Sequence, residues 1–196
     1  LEDSLYSEIC NEYPDHSLFQ KMEEKKSNEK KFEKFYFGNI NNNISFNGFI
    51  KKTKALKEFY KYVNSRQFLN SLNDFLIKKN IDLKINNKNQ SKLSIIKNLF
   101  KKKILDFEFS SIPINNGLIL PHTDGGNKLL GFVIPIIDNN EILKVKNIGT
   151  KVLKANSNQF KYNFFNKTVP FEKTELIREL PFERNQMSLH VKTFNS

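Results

Sequence analysis

Apolar side chains in the first half of the chain recur at the spacing of one helix face. Between residues 51 and 79 they fall into two such sets, separated by Ser65, a residue type favoured at the start of a helix. The pattern therefore predicts two consecutive helices whose aromatic residues are buried. A shorter amphipathic helix is predicted over residues 1–14, ended by Pro14, and the charged residues 15–31 are predicted to form an exposed loop. The aromatic stretch 34–50, broken by Gly and Asn, predicts short strands or an irregular segment.

From about residue 103 the hydrophobic repeat changes to period two. Leu105, Phe107 and Phe109 alternate with polar residues, and residues 187–192 alternate in the same way, which is typical of strands. Residues 128–138 are also predicted to be a strand, and residues 141–155 are predicted to form strand-like segments around Asn147 and Gly149. Helices in about residues 1–100, followed by short strands in about 101–196, indicate an α+β fold in which helices pack on a sandwich or barrel. We expect a single domain over residues 1–196.

The composition restricts the compartment and the partners. The chain has 196 residues and a net charge of +11, and lysine supplies nearly all the positive charge. Because readers of bases and phosphates favour arginine, we interpret the lysine excess as compositional bias along the whole chain and expect no nucleic-acid partner. Cys10 is the one cysteine, which excludes an internal disulfide, suits the reducing cytoplasm and is expected to be a packed residue. We expect neither a signal peptide nor a membrane span, since no apolar run approaches the roughly 20 residues a span needs.

The candidate chemistry lies in the segment PHTDGG, residues 121–126, directly before an apolar run. In an extended chain His122 and Asp124 project to the same side, so an imidazole nitrogen and a carboxylate oxygen can meet one cation. With a second histidine from a distant strand they would form the facial triad that suits non-haem Fe(II) and leaves positions open for a keto-acid and dioxygen. The alternative is a turn in which Asp124 caps a loop and His122 is exposed or packed.

The sequence resembles the 2-oxoglutarate and Fe(II)-dependent oxygenases, in their prolyl-hydroxylase-like branch. PHTDGGNKLLGFVIPIID (121–138) resembles the metal-binding segment of that family, and FYKYVNSRQFLNSLNDFL (59–76) resembles the helices before its β-helix. IGTKVLKA (148–155) resembles the segment after the metal loop, and LPFERNQMSLHVKTFNS (180–196) resembles the run into the second metal histidine.

This resemblance implies a double-stranded β-helix, a jelly-roll or cupin-like fold, with the N-terminal helices packed on it. It implies that His122 and Asp124 are catalytic residues and ligands of iron, with Fe(II) as cofactor and 2-oxoglutarate as co-substrate. The expected activity is that of a cytoplasmic oxidoreductase, a dioxygenase that hydroxylates a peptidyl or small-molecule substrate. The residues do not identify that substrate or the oligomeric state.

The family pattern places the third metal ligand just beyond Ser196, so we expect the chain to be incomplete at its C-terminus. His190 is the alternative third ligand, although Lys192 on the same strand face would bring a cation close to the metal. The basic anchor of the 2-oxoglutarate carboxylate is likewise not identified. Arg184 is expected to form a structural salt bridge rather than bind co-substrate, and His16 is expected to be solvated.

Two other function classes stay open. A degenerate β-helix would bind a ligand without catalysis and would end near Ser196, whereas the oxygenase would continue into a histidine. A lysine-rich binding module would instead bind nucleic acid with an affinity that falls steeply with salt, and metal would be irrelevant to it.

Overall fold

In the structure, a computed structural model, the described residues are 1–22, 33–81, 105–114, 117, 119–122, 128–137, 148–156 and 168–191. They contain the helices α1 (Asp3–Asn11), α2 (Asn43–Lys52), α3 (Ala55–Val63) and α4 (Arg66–Lys78). They also contain the strands β1 (Gln20–Lys21), β2 (Phe35–Gly38), β3 (Glu108–Ser111), β4 (Leu130–Val133), β5 (Lys151–Ala155), β6 (Thr174–Glu179) and β7 (Ser188–Val191). The predicted order is confirmed in part for these residues: α1 to α4 precede β3 to β7, but β1 and β2 lie between α1 and α2. The fold is a mixture of helices and small antiparallel sheets.

The contacts divide the chain into two compact units. One comprises Leu1–Tyr13, Phe19–Tyr36 and Ser110–Ser196, and the other comprises Pro14–Leu18 and Phe37–Phe109. In the parts of the chain that the structure describes, no helix is both long enough and apolar enough to cross a membrane.

The helices α3 and α4 confirm the prediction for residues 51–79. The residues that α3 buries are Ala55, Leu56, Phe59 and Val63, which lie on one face because they recur at helical spacing. The Oγ atom of Ser65 accepts a hydrogen bond from the backbone nitrogen of Phe68 at 3.1 Å, so Ser65 caps α4 as its residue type predicts.

Helix α2 shows that the prediction of strands or irregular structure for residues 44–50 was wrong. Phe46 and Ile50 are four residues apart and both buried, so the segment forms a helix that turns these two side chains into the core. The ring of Phe46 packs against Phe37 and Phe109, with centroids 5.6 and 6.2 Å apart. Aromatic packing therefore outweighs the low helix propensity of Gly48 and its asparagine neighbours.

The side chain of Asn39 holds the residues that precede β3. Its Oδ1 atom accepts from the backbone nitrogen of Phe107 at 2.9 Å, and its Nδ2 atom donates to the carbonyl of Leu105 at 2.8 Å. The strand predicted over residues 104–114 is confirmed in part, because the regular strand covers Glu108–Ser111.

The other unit contains two antiparallel strand pairs. Strand β4 pairs with β7, from Leu130 opposite Val191 to Val133 opposite Ser188. Strand β5 pairs with β6, with a register shift between Val152 and Leu153. The strands predicted around residues 130, 152 and 189 are thus confirmed at β4, β5 and β7, whereas β6 had no prediction.

Helix α1, also in this unit, is attached through Tyr6, which is fully buried. The Tyr6 hydroxyl donates to the carbonyl of Pro135 at 2.8 Å and accepts from the backbone nitrogen of Ile137 at 3.2 Å. Both backbone groups lie just after β4, where the ladder with β7 has ended. One side chain therefore satisfies two backbone groups that no strand pairs at that point.

Candidate functional site

His122 lies on an extended, paired segment, as the His-x-Asp interpretation requires. It forms an isolated antiparallel β-bridge with Thr168, and the backbone nitrogen of the buried Val169 donates to the carbonyl of Pro121 at 2.7 Å. The backbone on either side of the imidazole is therefore held by residues almost 50 positions away. The His122 side chain itself is exposed to solvent.

The imidazole of His122 has a defined orientation. Its Nδ1 atom lies 2.7 Å from the carbonyl oxygen of Leu120. A carbonyl only accepts hydrogen bonds, so Nδ1 carries the hydrogen and, in the neutral ring, the lone pair is on Nε2. Histidines that bind metals commonly use this arrangement, in which one nitrogen donates to a backbone carbonyl and the other is the ligand.

Asp124 lies outside the described residues, and so do Thr123 and Asn127. The structure consequently gives no distance between the imidazole and the carboxylate that the sequence pairs. In the described ranges alone, no three or more His, Cys, Asp or Glu side chains come together in a group that could hold a metal ion. The pairing of His122 with Asp124 therefore stays a prediction.

His190, the alternative third ligand, lies in β7 directly opposite Gly131 of β4. A Cβ atom built on Gly131 would be only 2.2 Å from Nε2 of His190, so the imidazole lies over the glycine backbone. Its strand neighbours Leu189 and Val191 project to the opposite face, as the period of two predicted. In this position His190 covers the space that a side chain at residue 131 would otherwise fill.

Arg184 forms the structural salt bridge that the sequence predicted. Its Nη1 atom lies 3.1 Å from Oδ1 of Asp3, and its Nη2 atom donates to Oγ of Ser7 at 2.8 Å. Its guanidinium carbon lies 4.6 Å from the centre of the Tyr6 ring, within the range of a cation–π interaction. The guanidinium thus contacts three residues of α1.

The sequence argument missed Tyr6, which connects α1 to the end of β4. Burial raises the pKa of the Tyr6 hydroxyl, and the hydrogen bond from Ile137 lowers that pKa in part. The available signal was the position of Tyr6 beside Leu5 and Ile9 on the apolar side of the predicted helix. That pattern indicates burial but does not identify a partner about 130 residues away.

Comparison of the chain with protein-family models, with curated proteins and with solved structures gives no match.

Proposed function

We propose that this protein is a non-haem Fe(II), 2-oxoglutarate-dependent dioxygenase that hydroxylates a peptidyl or small-molecule substrate, with His122 and Asp124 as two metal ligands. The observation that carries the proposal is the geometry of His122. Its backbone is paired with Thr168, and its Nδ1–H bond to Leu120 leaves the Nε2 lone pair free to bind a metal. The resemblance of residues 121–138 and 180–196 to the oxygenase family supports the same assignment.

The order of the strand pairs supports a double-stranded β-helix. The pair β5·β6 is nested inside the pair β4·β7 along the chain, because residues 151–179 lie between residues 133 and 188. A jelly roll is a long antiparallel hairpin folded over on itself, so its strands pair in this nested order. A meander would instead pair each strand with the next one along the chain.

The two faces of the pair β4·β7 differ in polarity, as the strands of a two-layered β-fold require. One face carries the half-buried side chains of Leu130, Phe132, Leu189 and Val191. The other face carries Gly131, Val133, Ser188 and His190. In a sandwich or a β-helix the apolar face packs inward against the second sheet. His190 would then point outward, which argues against it as a ligand of a metal held inside.

The residues fit the chemistry of iron. A neutral imidazole and a carboxylate are the ligand types of the two-histidine, one-carboxylate site. When bound, Fe(II) together with 2-oxoglutarate and dioxygen would supply the oxidising power to hydroxylate a carbon. The protein's own part is to fix the orientation of the imidazole, which the Leu120 carbonyl does, and to provide the Asp124 carboxylate as the anionic ligand.

The test is an anaerobic titration of the protein with Fe(II) and 2-oxoglutarate, followed by the weak visible charge-transfer band of the chelated metal. We expect the wild type to show the band and His122→Ala to abolish it. His16→Ala and His190→Ala are matched controls, because each removes one exposed imidazole, and both should retain the band. A band that survives in His122→Ala would overturn the ligand assignment. If the wild type shows no band, the oxygenase proposal is overturned and the non-catalytic β-helix is the alternative that stays.

A further inference from the structure

The positive charge of the chain is concentrated in one segment. Residues 51–103 contain fifteen Lys and Arg against three Asp and Glu, which leaves seventeen basic and eighteen acidic residues for the rest of the chain. The whole net charge of +11 therefore comes from about a quarter of the sequence. The basic residues are therefore not evenly distributed along the chain, and a local excess of one sign suits an anionic partner.

The described part of this segment presents its basic side chains to solvent. Helices α2, α3 and α4 with their connections, residues 43–79, carry eight basic and two acidic residues. All eight basic side chains are exposed, namely Lys51, Lys52, Lys54, Lys57, Lys61, Arg66, Lys78 and Lys79. Among the residues that the structure describes, neither Lys57 nor Lys61 forms an ion pair.

Three of these lysines form a row along α3. Lys54, Lys57 and Lys61 are three and four residues apart, and they lie on the side of the helix opposite its buried face. At a rise of 1.5 Å per residue the row is about 10 Å long. Like charges at this spacing repel one another, and the exposed Glu58, four residues after Lys54 and three before Lys61, offsets part of that repulsion.

We propose that this row, which we call the α3 lysine row, binds the phosphate backbone of nucleic acid. A line of cations fits a linear polyanion, whose condensed counterions are released when lysines replace them. Lysine is a point charge that binds phosphate but lacks the fork geometry with which arginine reads guanine, so binding should be independent of sequence. This proposal does not rest on the proposed metal site.

An anionic membrane is the competing partner, and α3 is a poor match for it. Helices that lie on membranes insert an apolar face beside their basic residues. The apolar face of α3 is instead turned into the protein core through Leu56, Phe59 and Val63, which are at most 8 % exposed. The lysines would act on lipid headgroups by charge alone.

The test is the fluorescence anisotropy of a labelled duplex DNA of about 24 base pairs, titrated with the protein over a range of salt concentrations. The variant is Lys57→Gln/Lys61→Gln. Glutamine has a helix propensity close to that of lysine, and it carries no charge to repel the neighbouring lysines, so α3 should stay folded. The matched control is Lys151→Gln/Lys154→Gln, which removes the same charge from exposed positions of β5. Circular dichroism of each variant confirms that the helices are intact.

We expect the wild type to bind, with the logarithm of its affinity falling linearly with the logarithm of the salt concentration. In Lys57→Gln/Lys61→Gln the magnitude of this negative slope should be smaller by about 2, and binding should be more than tenfold weaker at 0.1 M salt. The control pair should change the affinity less than threefold. The proposal is overturned if the wild type does not bind, if both pairs weaken binding equally, or if vesicles containing phosphatidylserine bind the protein more tightly than DNA does.

Discussion

The replacement Tyr6→Phe removes one oxygen atom and leaves the rest of the α1 contact unchanged. The phenyl ring still fills the fully buried site and still lies under the guanidinium of Arg184. What is lost is the donor to the carbonyl of Pro135 and the acceptor for the backbone nitrogen of Ile137. The substitution therefore removes the two hydrogen bonds that attach α1 to the end of β4, together with the contacts of the hydroxyl with Cys10 and the Asn185 backbone.

The expected cost follows from the burial of the two groups left without a partner. A buried polar group without a partner costs about 1–3 kcal/mol. Pro135 is buried and its carbonyl should cost an amount in this range, whereas Ile137 is half-buried and its N–H group can recover part of the loss by binding water. The free energy of unfolding should fall by about 2–3 kcal/mol in total. For a chain of this size the melting temperature should fall by about 4–10 °C.

Two measurements check this value. Urea denaturation followed by circular dichroism gives the free energy of unfolding, and the slope against urea should be unchanged because the unfolded surface is the same. Hydrogen exchange at the amide of Ile137 reports the lost bond directly and should accelerate in the variant. The matched control is Tyr36→Phe, because the Tyr36 hydroxyl lies 3.5 Å from Gln20 at an exposed position and should contribute less than about 0.5 kcal/mol.

One outcome would refute the reasoning. If Tyr6→Phe and Tyr36→Phe change the free energy of unfolding equally, and the Ile137 amide exchanges as in the wild type, the Tyr6 hydroxyl does not connect α1 to β4.

Three further predictions concern packing, capping and ionisation. Gly131→Ala places a Cβ atom against the exposed His190 ring, which must swing aside, so the loss in urea denaturation should stay below about 1 kcal/mol and adding His190→Ala should remove it; a larger loss that His190→Ala does not restore would contradict the contact. Ser65→Ala should lower the stability by about 1 kcal/mol through loss of the α4 cap, whereas the exposed Ser71→Ala on the same helix should not lower it; equal effects would argue against capping. Burial raises the pKa of Tyr13 from 10.0 to about 12. Between pH 10 and 12 the hydroxyl therefore ionises in the unfolded chain before it ionises in the folded protein, and the free energy of unfolding falls as pH rises through this range. Tyr13→Phe should therefore show a shallower loss of urea stability over that pH range, and an identical pH dependence would contradict the shift.

Elements with a local signal could be predicted from the residues alone. Helices α3 and α4 follow from apolar residues at helical spacing, and the cap at Ser65 follows from a side chain that bonds a backbone nitrogen three residues on. The alternation in β7 likewise follows from the geometry of one strand and predicted correctly which side of the strand His190 occupies. The structural salt bridge expected for Arg184 is also confirmed.

Local patterns were insufficient wherever a distant contact decides the conformation. The segment of α2 is rich in aromatic residues and contains Gly48, so it reads as a strand until the packing of Phe46 against Phe37 is known. Strand β6 carries adjacent apolar residues, Leu176 and Ile177, both exposed, so no period marks it and its pairing with β5 defines it.

The same distinction between local patterns and distant contacts applies to the candidate site. The His-x-Asp pattern identified His122 as the candidate ligand, because residue type and a spacing of two are properties of the sequence. The tertiary structure alone decided that this segment pairs with Thr168 and Val169, that His190 lies over Gly131, and that Tyr6 reaches Pro135. Each of these contacts joins residues tens of positions apart. Their partners are chosen by the packing of the whole chain and not by the propensity of any one segment.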